Sequence, residues 1–143
     1  MPAATRSIVI HRPVEEVFAF FTTPANDPRW RSHVKEIAAP GPLRQGSVVR
    51  QVVAGPGGRG IPASMRVAAF EPSSRYSFVV IEGPARPEGE FRFAPVEGGT
   101  EVTFTLHAEL SGLKRLLLSR PVQRSMDGEV AALDRARVLL EAG

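Results

Sequence analysis

The sequence predicts an α+β fold: a curved antiparallel sheet of about seven strands wrapped around a long C-terminal helix, with two short helices after the first strand. Three observations carry this expectation. A short strand-like run near the N-terminus leads directly into an amphipathic helix opened by Pro13. Six alternating runs follow, separated by turn residues. The chain then closes on a helical stretch from about Gly112 to Glu141. A lone curved sheet buries such a helix against its concave face, an arrangement that tends to leave a pocket between the two.

The elements follow in order. Arg6–His11 reads as the first strand. In the first helix Val14, Val17, Phe18 and Phe21 fall at i, i+3, i+4 and i+7, one apolar stripe. Pro13 suits the first turn, where its missing N–H costs nothing, and Glu15 and Glu16 sit at the positive end of the helix dipole. Pro24 stops this helix. A second short one follows, with Asn26 or Asp27 as its cap and Pro28 just inside, and it delivers Trp30, the only tryptophan. Residues 33–39 form a weak strand, and Ser47–Ala54 a valine-rich one. Gly55–Gly60 is a loop. Along Ile61–Phe70 the residues Ile61, Ala63, Met65, Val67 and Ala69 share a face. Arg75–Ile81 is a strand, as is Pro87–Pro95, with Phe91 and Phe93 opposite Glu90 and Arg92. Gly98-Gly99 makes a tight hairpin. Thr100–Glu109 alternates most cleanly, with Val102, Phe104, Leu106 and Ala108 on one side. In the closing segment Leu113, Leu116 and Leu117 form an apolar patch, Pro121 predicts a kink or restart near Ser119–Pro121, and Val122, Met126, Val130, Leu133, Ala136 and Leu140 form the stripe facing the sheet.

Composition narrows the function classes. The 143 residues read as a single domain, 1–143, long enough to bury about 68–70% of the unfolded surface. There is no cysteine, so disulfides, zinc–thiolate sites and thiol nucleophiles are excluded. The N-terminus is too short and polar for a signal peptide, and no apolar run approaches the ~20 residues of a membrane span. A cytoplasmic location is the default. The net charge is +3, and Lys35 and Lys114 are the only lysines. The arginines are dispersed along solvated faces, so nucleic acid is not an expected partner. One denser patch holds Lys114, Arg115, Arg120 and Arg124. It reads as an amphipathic helix start with solvated arginines in preference to a contact with an anionic membrane.

Chemical motifs are few. Gly55, Gly57 and Gly60 spell G-x-G-x-x-G, but the next segment alternates with period two and contains Pro62, so no helix follows to hold a phosphate. His11, His33 and His107 lie at no metal-ligand spacing, and His107 shares the outer face of its strand; neither a metal nor a cofactor is expected. No G-x-S-x-G elbow exists. Inward polar candidates are Arg50, if Val48, Arg50 and Val52 share the inner face, and Tyr76, if it lies with Phe78 and Val80. Asp127 and Arg124 flank the helix stripe. Trp30 either walls a ligand site or seals the junction of helices and sheet.

The segment Ile10-His11-Arg12-Pro13-Val14-Glu15-Glu16-Val17-Phe18 resembles the I-x-x-P-x-x-x-V-(F/W) opening of the START-like, or SRPBCC, superfamily. Asp27-Pro28-Arg29-Trp30 resembles its second helix. The Gly46 turn, the Phe70-Glu71-Pro72 bend and Gly98-Gly99-Thr100-Glu101-Val102 before a long strand and helix extend the likeness over essentially the whole chain. The nearest subgroup is the polyketide cyclase/dehydrase-like proteins. The resemblance implies a helix-grip fold and a deep hydrophobic cavity for a lipid, polyketide, sterol or similar molecule, but no single activity. The expected function is therefore binding of a small hydrophobic ligand, in a cavity lined by Trp30, Met65, Phe78, Phe91, Phe93, Phe104 and Met126, with Arg50 and Tyr76 setting orientation. The alternative is a cyclase or dehydratase in which Arg50 or Tyr76 polarises a carbonyl; it requires a titratable group deep in the cavity. A third reading is an interaction module with a collapsed core and a large exposed apolar patch.

Overall fold

The computed structural model describes residues 1–143, apart from the side chain of Pro56. Eight strands form the sheet: β1 (Ala3–Ile10), β2 (Val34–Ala38), β3 (Val48–Ala54), β4 (Gly60–Pro62), β5 (Met65–Glu71), β6 (Arg75–Val80), β7 (Glu88–Val96) and β8 (Gly99–His107). Helices α1 (Val14–Phe21) and α2 (Asp27–Trp30) follow β1, and α3 (Gly112–Ala131) and α4 (Leu133–Ala142) end the chain. Seven strands run antiparallel in the order β1-β8-β7-β6-β5-β3-β2, and the short β4 pairs with β3. The sheet curls around the C-terminal helices, the arrangement expected from the sequence.

β1 starts at Ala3, three residues earlier than its apolar content suggests, because it pairs with β8 along its whole length, from Ala3↔His107 to Ile10↔Thr100. Polar cross-strand pairs hold the outer face: the Thr5 and Thr105 hydroxyls lie 2.9 Å apart and those of Ser7 and Thr103 2.7 Å apart. On the inner face Arg6 clamps Asp134 of α4 with two hydrogen bonds of 2.8 Å. That clamp, and the Gln123 amide bonded to both backbone groups of Ala3, lay the terminal helices along β1.

The run read as one strand over Ile61–Phe70 is divided. β4 and β5 keep the same register on β3, Val52↔Pro62 and Val49↔Met65, but the ladder is interrupted at Ala63–Ser64. A bulge between Val67 and Ala69 then shifts the phase. Phe70 rather than Ala69 becomes the aromatic contact, packing edge-on to Phe18 at 5.3 Å.

The C-terminal break also moves. α3 runs through Pro121, and the interruption falls at Ala132. The proline removes one bond to the Leu117 carbonyl, on a part of the helix where Leu117 and Pro121 are exposed, so the loss costs little. At Ala132 the N–H is shared between the Gly128 and Glu129 carbonyls at 3.1 and 3.2 Å, a tightening that re-aims the chain and seats Leu133 fully in the core. The stripe Met126, Val130, Leu133, Ala136 and Leu140 is buried as the periodicity predicts.

The core is aromatic. Phe91 stacks on Phe104 at 4.0 Å between centroids and 13° between planes, and it lies nearly parallel to Tyr76 and Phe93. Phe18 and Phe21 of α1 pack on Phe93 from the open side of the sheet, and Phe21 meets Trp30 edge-on at 5.3 Å.

Candidate ligand-binding site

A buried charge cluster closes one end of the interior. α2 is short and proline-started, and it presents Asp27 and Arg31 one turn apart on its inner side. The Arg31 Nη1 group donates to Asp27 at 2.9 Å and to the Gln51 amide oxygen of β3 at 3.1 Å. Its Nε donates to both oxygens of Glu129, on α3, at 3.2 Å. Gln51 is fixed in turn by donating to the Ala63 carbonyl at 2.9 Å. His33 closes the set with its Nε2 against Glu129. The side chains of Arg31, Asp27 and Glu129 are 8%, 11% and 12% exposed, so these charges interact with little solvent screening.

The cluster contains two buried carboxylates and one buried guanidinium, and the carboxylates respond oppositely. Burial pushes the Asp27 carboxyl up to about 6; Arg31 opposes the rise and Glu129 adds to it. Burial acts on Glu129 in the same sense, but Arg31 and His33 outweigh it and hold that carboxyl at about 2. Burial disfavours the Arg31 charge as well, yet the two carboxylates keep its pKa above the ordinary value. Tyr76 is driven well above the ordinary phenol range by burial, reinforced by the charge of Asp27. At neutral pH its hydroxyl is therefore a hydrogen-bond donor.

Two spaces adjoin the cluster. A chamber of about 20 Å³ lies among Trp30, Tyr76, Phe91, Phe104, Asp27 and Arg31, room for one oxygen-sized group. Trp30 borders this chamber, and its indole Nε1 is buried with no hydrogen-bond partner among the described residues. A partly open cleft of about 210 Å³ lies between α3, the β3–β4 hairpin and the loop before β7; its walls include Met126, Val122, Val80, Ile61, Pro84 and Leu106. Arg31, Met65, Phe78 and Glu129 line both spaces and so form the partition between them. The interior is thus nearly filled, and most of the open volume lies at one end rather than in a single deep cavity.

The residues singled out from the sequence separate accordingly. Trp30, Met65, Tyr76, Phe78, Phe91 and Phe104 meet at the chamber, and Met126 lines the cleft with Met65 and Phe78. Phe93 is buried but packs under α1, between Phe18 and Phe91. Arg50 does not join them. It lies exposed on the outer face, near Glu82 in a surface groove. The reason is phase: in Val-Val-Arg-Gln-Val-Val apolar residues occupy both parities, and the buried set is Val49 and Gln51. Asp127 is exposed and accepts from Gln123. Asp27 does not cap α2; its carboxylate is turned inward to Arg31.

Arg31, Gln51 and Glu129 were not recognised from the sequence. Two signals for them were present: the i, i+4 spacing of Asp27 and Arg31, and the place of Glu129 between Met126 and Val130 on the inward stripe. No group of three or more His, Asp or Glu side chains converges as a metal site among the described residues.

Gly89 shapes the partition. A Cβ at this position would lie 2.3–2.5 Å from three atoms of the Phe78 ring, which rests on the bare glycine. Gly89→Ala therefore pushes the Phe78 ring off β7 and toward the chamber and cleft. The expected loss is about 1–3 kcal/mol of stability, read by denaturant unfolding. An unchanged midpoint would show that the ring is free to move.

A family model described as "Polyketide cyclase / dehydrase and lipid transport" matches residues 1–137. The chain belongs to this family. Solved structures agree on the fold. A Thermus thermophilus protein, TTHA0849, superposes with a TM-score of 0.80 at 21% identity, covering 99% of this chain and 98% of that one. The di-domain aromatase/cyclase StfQ of the steffimycin biosynthetic pathway has a TM-score of 0.80 at 11% identity, covering 98% of this chain and 51% of that one, so this chain spans about half of StfQ. Ara h 8.0201 has a TM-score of 0.77 at 9% identity, covering 99% and 98%. No curated protein matches the chain significantly. At these identities the polyketide cyclase/dehydrase relatives share the helix-grip fold with this chain, and the likeness carries no activity across.

Proposed function

We propose that this polyketide cyclase/dehydrase-family protein binds a small, largely apolar molecule in the cleft, with an oxygen at its leading end directed through the partition to Trp30. The observation that carries this reading is an apolar cleft that shares four wall residues with the chamber bordered by Trp30, whose buried indole N–H no group among the described residues satisfies. An unsatisfied buried donor costs about 1–3 kcal/mol, which a ligand oxygen recovers. The Tyr76 hydroxyl and the Arg31 Nη2 group, which none of the Arg31 hydrogen bonds uses, are the other donors on hand. Met65, unbranched and flexible, is the side chain best suited to turn aside.

Size sets the ligand class. A cavity of about 150 Å³ lined by aliphatic and aromatic groups holds benzene, so 210 Å³ suits one or two fused rings or a short branched chain. Burying about 250 Å² of apolar ligand surface contributes roughly 6 kcal/mol before the costs of association.

The test uses tetralone, a fused-ring ketone, and the hydrocarbon tetralin. Trp30 is the only tryptophan, so its emission reports on the chamber directly. Tetralone is expected to change that emission saturably and to bind about tenfold more tightly than tetralin, the discrimination of one hydrogen bond. Ala63→Phe, which fills the cleft, abolishes both. A saturable response equal for the two probes would remove the oxygen contact, and no response to either would remove the cleft as a binding site.

The enzymatic reading has one specific observation behind it. Asp27, with a pKa raised to about 6, is a titratable group at the deep end beside Tyr76, and a pKa near the working pH suits general acid–base chemistry. On this reading the wild-type protein exchanges the α-protons of tetralone for deuterium faster than buffer alone, and Asp27→Asn binds tetralone but does not. Exchange equal to buffer leaves binding as the function.

A further inference from the structure

The first turns of α3 carry an apolar face that the core does not use. Leu113, Leu116 and Leu117 are 69%, 79% and 61% exposed. At 3.6 residues per turn they share an arc of about 100°, centred roughly 130° around the helix from the buried line of Val122, Met126 and Val130. They are a second apolar stripe on the opposite side rather than a frayed end of the first.

Charge surrounds this stripe. Arg120 and Arg124 fall on the same arc in the next two turns, and Lys114 lies about 60° beyond its edge; Arg115 is on the far side of the helix, near the angle of the buried line. From Gly112 to Met126 there is no carboxylate. None of these four cations forms an ion pair among the described residues, and the helix offers them no carboxylate within this stretch.

We infer that the first half of α3 docks on an anionic lipid bilayer, with the three leucines at the headgroup–acyl boundary and Arg120 and Arg124, flanked by Lys114, on lipid phosphates and carboxylates. Leucines and cations intermixed on one exposed helical arc match that boundary, which is apolar below and negative above. A second copy of the chain fits worse. A two-fold contact sets the same patch against itself, and Arg120, Arg124 and Lys114 would then face their own copies. The inference stands on the exposed face of α3 and is independent of what the cleft binds.

The test is flotation with vesicles of phosphatidylcholine, with or without about one-third phosphatidylserine. The full chain is expected to partition about a hundredfold more strongly to the anionic vesicles, and high salt should weaken this binding. Leu116→Gln/Leu117→Gln is expected to weaken it about tenfold or more, and Arg120→Gln/Arg124→Gln by a similar factor. All four positions are exposed, so both variants should keep the wild-type melting temperature, which serves as the folding control. Wild-type protein that does not float with anionic vesicles overturns the inference. So does floating that the leucine variant leaves unchanged. A dimer in solution that the leucine variant dissociates would assign the face to a second copy and overturn it as well.

Discussion

Arg31→Met should destabilise the fold by about 3–5 kcal/mol, lowering the melting temperature at neutral pH by roughly 10–15 °C. The substituted side chain is of similar length and apolar, so little packing is lost. What is lost is the only buried cation between two buried carboxylates, together with every hydrogen bond that Asp27 and Glu129 accept from it. Removing Arg31 leaves Asp27 desolvated and unpaired and Glu129 with His33 alone, which costs far more than the intact cluster contributes. The control is the triple variant Arg31→Met/Asp27→Asn/Glu129→Gln, in which no buried charge is orphaned; it should recover most of the lost stability. Thermal unfolding of the three proteins decides the matter. A single Arg31→Met variant as stable as the wild type would show that water reaches the cluster.

The pH dependence of the same cluster is the second large effect. The folded-state pKa of Asp27, about 6, is raised above the ordinary 3.8. Between those values the native state holds more protons than the unfolded chain, so stability falls as pH rises from about 4 to about 6. Glu129 has the opposite sign. Its folded-state value of about 2 lies below the ordinary 4.5, so its contribution appears as pH rises from about 2 to about 4.5 and is lost on acidification. Each difference corresponds to about 3 kcal/mol. With Asp27 protonated and Glu129 ionised, Arg31 faces a single carboxylate charge, and the summed contribution of the two carboxyls to stability peaks between about pH 4 and 5. Asp27→Asn fixes Asp27 in the equivalent of its neutral state while keeping an oxygen for Arg31. It should therefore match the wild type below about pH 3.5, exceed it by about 1 kcal/mol near pH 4.5 and by up to about 3 kcal/mol at pH 7. Comparing the two proteins cancels the surface carboxylates Glu82, Glu90, Asp134 and Glu141, whose pKa values are also lowered. Parallel stability curves for the two proteins across this range would contradict the assignment.

The fold was largely legible because its strands and helices declare their period. Thr100–His107 and Met126–Leu140 each bury one parity or one stripe, and nothing in the tertiary structure reverses them. The failures occur where the period is ambiguous. In Val48–Ala54 apolar residues on both parities leave the phase undecided, and it is fixed by what Gln51 meets across the interior, which no local pattern contains. The bulge after Val67 shifts the phase of Phe70 for a similar reason. The kink expected at Pro121 rests on a local cost that is small on an exposed helix surface, so α3 continues through it. The aromatic half of the site followed from alternation, since Tyr76, Phe78, Phe91 and Phe104 are core residues first. The polar half did not. Asp27, Arg31, Gln51 and Glu129 come from separated segments, and charged residues are normally assigned to the surface. Only the assembled interior shows that their charges offset one another.

A crystal structure of the protein with tetralone bound tests the central claim most directly. The account predicts the rings between α3 and the β3–β4 hairpin against Met126 and Phe78, with the ketone oxygen within hydrogen-bonding distance of Trp30 Nε1 and Met65 displaced. Tetralone held elsewhere on the chain, or an occupied cleft with the Trp30 indole still unpaired behind an unmoved Met65, would contradict it.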